Sequence, residues 1–121
     1  MTQNKKREKT TLSRTKQIGA KVIYEAFKIL KEAGGQLPGR EVMEQIEKRV
    51  TLTPWDLERY QKTGHIRWQS ILHFYTIDCI KAGFLRKQSG IWILTGEGEK
   101  ALNLSPVTLL DHTTTAYPSV A

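Results

Sequence analysis

The sequence predicts a mainly α-helical domain closed by a small β-hairpin, and three observations carry that prediction. Apolar residues recur at three- and four-residue steps through much of the chain, as they do along the buried stripe of a helix. Two short apolar runs, Phe84-Leu85-Arg86-Lys87 and Ile91-Trp92-Ile93-Leu94-Thr95, flank the turn signal Gln88-Ser89-Gly90. Glycines and capping residues stand where these patterns change, at Gly34-Gly35, Thr53-Pro54, Gly83 and Thr95. With 121 residues the chain is long enough for one modest core and too short for two.

The elements follow in order. Residues 1–14 lack periodicity and read as a basic flexible arm. From about Thr15 a first helix carries Val22, Ile23, Ala26, Phe27, Ile29, Leu30 and Ala33 on one side, and Gly34-Gly35 ends it. Gln36-Leu37-Pro38 reads as a bridge to a second helix, about Gly39–Arg49. That helix turns Val42, Met43 and Ile46 inward and Glu41, Glu44 and Glu47 outward, a face that would repel DNA. Thr53-Pro54-Trp55-Asp56 is a helix start: threonine caps, proline is tolerated at the first position, and an acid suits the macrodipole. A short helix to about Tyr60 and a polar turn, Gln61–His65, lead into a long helix from about Ile66 to Ala82.

Trp68, Ile71, Leu72, Tyr75 and Cys79 form one stripe of that long helix, while Ile66, Phe74 and Ile77 project from the opposite side. A helix apolar nearly all round is buried on more than one side. Either the first helix and the C-terminal segment cover its back, or a second copy meets it as a homodimer. After the hairpin, Thr95 caps a last helix, Gly96–Asn103, with Glu97 and Glu99 in its first turn. Residues 105–121 are aperiodic, with Val107, Leu109 and Leu110 as anchors, and read as a tail or interdomain linker. Residues 15–104 thus form the domain. Helices closed by a terminal hairpin in this order make a winged helix-turn-helix.

Charge narrows the function. The net charge of +7 and the pI of 9.7 suit a polyanion. Its distribution says more. Residues 1–21 hold Lys5, Lys6, Arg7, Lys9, Arg14, Lys16 and Lys21 against Glu8 alone. Residues 59–96 hold Arg59, Lys62, Arg67, Lys81, Arg86 and Lys87 against Asp78 alone, and the remaining stretches are net acidic. Phosphate contact exploits such segregation. No apolar run approaches a membrane span, and no hydrophobic signal follows the basic N-terminus, so a cytoplasmic protein is expected. A single cysteine, Cys79, excludes an internal disulfide and reads as a small core residue. His65, His73 and His112 lack ligand-type neighbours at metal spacing, so neither metal nor other cofactor is expected. No paired-carboxylate, nucleophile–base or phosphate-loop constellation points to an enzyme.

In a helix-turn-helix the N-terminal turns of the second helix approach base edges while flanking groups hold phosphates. Arg67, Gln69, Ser70 and His73 are therefore the base-facing candidates. Lys62 and His65 precede the helix and suit a phosphate. Arg86 and Lys87 lie on the wing, and Lys5, Lys6 and Arg7 suit an arm along the backbone. Each has a plainer reading as solvated surface, and for Arg86 and Lys87 as charges that keep a strand edge from aggregating. The DNA reading requires Arg67, Arg86 and Lys87 to converge on one surface. Trp55, Trp68 and Trp92 would suit an aromatic cage for a flipped base, although their apolar-periodic positions also suit a core.

The residues Arg67-Trp68, Phe74, Lys81-Ala82-Gly83-Phe84-Leu85, Gly90-Ile91-Trp92 and Leu94-Thr95 with Gly98 resemble the N-terminal winged-helix domain of Mrr-like restriction proteins. The likeness extends more loosely over residues 16–104. It implies a module that reads double-stranded DNA, joined to a C-terminal or separate nuclease domain that cuts modified DNA. That nuclease needs an acid followed two residues later by Glu-x-Lys, and no lysine here has Glu or Asp two positions before it. Glu97-Gly98-Glu99-Lys100 comes nearest, with the wrong spacing. The expectation is an excised domain or stand-alone reader of a restriction or defence system that does not cleave DNA. The alternatives are a protein–protein or dimerisation winged helix, with Phe74 and Ile77 as its interface, and a stand-alone transcription regulator.

Overall fold

A computed structural model describes residues 13–115 of the chain. Its elements are α1 (Arg14–Glu32), β1 (Gln36–Pro38), α2 (Gly39–Arg49), α3 (Pro54–Leu57), α4 (Arg67–Lys81), β2 (Leu85–Gln88), β3 (Ile91–Leu94), α5 (Gly96–Ala101) and α6 (Pro106–Thr115). Helix α1 is the hub. Ser13 caps it by accepting from Lys16 N at 3.1 Å. Its buried stripe, including Val22, Ile23, Phe27 and Leu30, packs on α2, α4 and α6 at once. The crossing with α4 is close: a Cβ at Gly19 would overlap the Tyr75 ring. Trp68 and Leu72 of α4, Val42 and Ile46 of α2, and Leu85 and Trp92 of the sheet complete the core. Cys79 lies in it at 0% exposure, and burial pushes its thiol up to about 12.

Gln36–Pro38, expected to be a bridge, is a strand. It pairs antiparallel with β3, Leu37 opposite Trp92, so the sheet order is β1-β3-β2. Three residues ending in proline carry no periodic signal; only the partner strand makes them a strand. The β2–β3 hairpin turns through Ser89 and Gly90 with φ of 52° and 80°, the two left-handed residues of a tight two-residue turn. This sheet, set against α1, α2 and α4, is compatible with a winged helix.

Two expectations change by more than two residues. Helix α3 stops at Leu57 because Glu58 is extended and Arg59 forms an antiparallel bridge with Ile66. The capping box at its start is as the residues foretell: Thr53 accepts from Asp56 N, and Asp56 accepts from Thr53 N at 2.9 Å. The larger change is at the C-terminus. Residues 106–115, read as part of an aperiodic tail, form α6, which buries Leu109 and Leu110 completely against α1 and α4. Its inward side also includes Thr113, whose hydroxyl donates to Leu110 O at 2.6 Å. A polar residue on the buried side interrupts the apolar stripe that sequence reading looks for.

Helix α4 is covered on one side only. Trp68, Ile71, Leu72, Thr76 and Cys79 are buried. Phe74 is 62% exposed, Ile77 51% and Ile80 39%, so neither α1 nor α6 covers its back.

Candidate nucleic-acid interface

The outward face of α4 is set by the bridge that precedes it. Arg67 N donates to Glu58 O and Tyr60 N to His65 O, at 2.8 and 2.9 Å, and the Arg59 guanidinium donates to Gly64 O at 2.7 Å. The loop is therefore pinned, and it presents His65 just ahead of the first turn. Gln69 and His73, four residues apart on α4, share one side of the helix, and the pinned loop sets His65 beside them. With Ser70 they line a shallow cavity open to solvent.

The wing closes the far end of this surface. His73 meets Trp92 edge-to-face at 5.9 Å between ring centroids. Lys87 Nζ lies 4.5 Å from the centre of the same indole and donates to Thr76 Oγ1 at 2.9 Å. The Thr76 hydroxyl in turn donates to His73 O at 2.6 Å. Desolvation lowers the pKa of Lys87 from the ordinary lysine value. Desolvation also lowers that of His73, helped by the positive charges of Lys87 and His65. His73 is thus held toward its neutral form, able to donate from one ring nitrogen and accept at the other.

The three cations expected to converge do not share one free surface. Arg67 is 20% exposed and spoken for: its guanidinium lies 3.0 Å from Glu58 Oε1, donates to Trp55 O at 3.0 Å, and stacks 4.2 Å above the Trp55 ring. It fastens α3 to the start of α4. Lys87 is bonded to Thr76, about 14 Å further along the helix axis. Arg86 pairs with Ile93 while Lys87 pairs with Trp92, so alternation sends these neighbours to opposite faces of the sheet. Arg86 is exposed on the face away from α4, and Lys62 is exposed on the turn before α4; neither forms an ion pair among the described residues. Lys5, Lys6 and Arg7 lie outside the described residues.

The tryptophans do not form a cage. Trp68 and Trp92 are 0% and 4% exposed, and Trp55 is covered by Arg67 and by Arg14, whose guanidinium is 4.5 Å from its ring centre. Two partners went unread in the sequence, Glu58 for Arg67 and Thr76 for Lys87, because each contact crosses between elements. In the sequence Arg14 and Lys21 belong to a basic terminus; in the structure both lie on α1. Their seven-residue spacing, which puts both on one side of a helix, was the available signal.

The fold and this surface define the class: a small domain of helices and a hairpin, compatible with a winged helix, with one polar helix face held open between a pinned loop and a wing. Residues 20–104 match the Mrr N-terminal domain, and the chain belongs to that family, which points to a restriction-system-related module. No curated protein and no solved structure matches the chain. The matched residues begin within α1 and end before α6. Among the described residues no helix is long and apolar enough to cross a membrane.

Proposed function

We propose that this chain is a DNA-binding module of a restriction or defence system, which reads a duplex with the outward face of α4 and leaves bond cleavage to a nuclease. One observation carries the reading: His65, Gln69, Ser70 and His73 line a single solvent-open cavity on the helix that the hairpin follows. Glutamine pairs with adenine through its N6 and N7 edge, and neutral histidine and serine adapt to several bases. Lys62 and Arg86, exposed and in no ion pair among the described residues, take phosphates. Arg67 acts one step removed, by fixing the start of α4, and Lys87 by fastening the wing. A preference for modified DNA rests on the family alone.

The test is a binding screen of methylated and unmethylated duplexes at two salt concentrations. Affinity falls as salt rises, because phosphate contacts release counterions. Substituting Gln69 and His73 by alanine flattens discrimination between sequences at about 1–3 kcal/mol per lost base contact. Duplex affinity unchanged by both the substitutions and the salt would reject the reading.

A second reading has its own observation. The exposed Phe74, Ile77 and Ile80 follow one another at three-residue steps along α4, which suits a protein partner or a second copy. Gel filtration separates the cases: a dimer in the wild type that Phe74→Glu dissociates supports an interface there. A monomer at every concentration removes the homodimer.

A further inference from the structure

We propose that the first two turns of α1 form a second phosphate-binding surface, in which Arg14 and Lys21 hold the sugar-phosphate backbone of the duplex beside the end of α4. The inference rests on the DNA reading above and extends it to residues on another helix. Arg14, Gln17 and Lys21 follow one another at three- and four-residue steps, so they form one stripe of α1. Together with Thr53 and Asp56 they line an open cavity between α1 and α3. Arg14 and Lys21 are exposed, and neither enters an ion pair among the described residues. Lys16, by contrast, is paired with Asp111, Lys31 with Glu99 and Arg49 with Glu32. The one acid in the cavity, Asp56, is 5% exposed and is turned into its own capping box.

Arg14 is also prepared for contact. Its guanidinium lies over Trp55, whose carbonyl accepts from Arg67 at the head of α4. Stacking fixes the plane of a guanidinium while leaving its N–H edge available, which suits phosphate oxygens. Through Trp55, the position of Arg14 is therefore referred to the helix proposed to enter the groove. The stripe from Arg14 to Lys21 runs about 10 Å along α1, further than one phosphate reaches, so the ligand is a chain of phosphodiesters. Lys5, Lys6, Arg7 and Lys9 precede it in the sequence.

The experiment uses the full chain and a duplex of about twenty base pairs, with affinity measured across a salt series. Each phosphate contact adds about 0.9 to the slope of log affinity against log salt. Arg14→Ala with Lys21→Ala lowers that slope by about 1.8, weakens binding at least tenfold at low salt, and leaves sequence discrimination unchanged. Lys21→Ala alone, which spares the stacked arginine, lowers the slope by about 0.9. A wild type that binds and variants that keep its slope overturn this proposal while sparing the DNA reading. A wild type that binds no duplex overturns both.

Discussion

Lys87 Nζ donates to Thr76 Oγ1 at 2.9 Å, so a cation that looks like a free wing charge in the sequence is the fastening between β2 and α4. A hydrogen bond from a charged group contributes more than a neutral one, but solvent reaches this one and weakens it. Lys87→Ala is expected to cost about 1 kcal/mol. That lowers the thermal midpoint by roughly 4–8 °C in a domain of this size. Lys87→Met, which keeps the stem over Trp92, loses less. An unchanged midpoint with collapsed duplex affinity would show instead that Lys87 meets phosphate.

His73 makes stability and binding respond to acid in opposite directions. Its pKa is lowered from the ordinary 6.5 by desolvation and by the facing charges of Lys87 and His65. Between the lowered value and 6.5 the unfolded chain binds more protons than the folded one. The stabilisation is complete above 6.5 and is lost as pH falls through that window. Thermal midpoints should therefore drop as pH falls below about 6.5, and drop less in His73→Gln. A bound polyanion favours the imidazolium, so duplex affinity should rise over the same interval. A pH response identical in wild type and His73→Gln would remove His73 from both effects.

Helix α6 should matter for stability although it lies beyond the matched residues. Leu110 is wholly buried, and Leu110→Ala is expected to cost about 2–5 kcal/mol. The ion pair joining the two terminal helices, Lys16 Nζ to Asp111 Oδ1 at 2.6 Å, has side chains 31% and 50% exposed. Lys16→Ala should therefore cost well under about 1 kcal/mol. Urea denaturation of both variants checks the ranking. Equal, small losses would mean that α6 is only loosely attached.

What was legible in the sequence was local. The apolar steps of α1, the Thr53 and Thr95 caps and the turn at Ser89-Gly90 each declare themselves within a few residues, and the structure has them where the patterns put them. Strand β1 was not legible because it is a strand only by virtue of β3. Helix α6 was hidden by Thr113 on its buried side. Within the candidate site, Gln69, Ser70 and His73 come together because their spacing along one helix already groups them, whereas His65 joins them only through the bridge that pins the preceding loop. The fate of Arg67 and Lys87 could not be read, since Glu58 and Thr76 reach them only once separate elements have docked.

The buried sulfur of Cys79 gives this molecule an internal clock. With its proton held until about 12, the sulfhydryl offers an alkylating reagent almost no reactive anion at neutral pH while the fold is closed. Each tagged molecule is then the record of one excursion from the native state. Because the chain has no other cysteine, counting tags against time, with reagent in enough excess that alkylation outpaces reclosing, reads the opening rate without an added label.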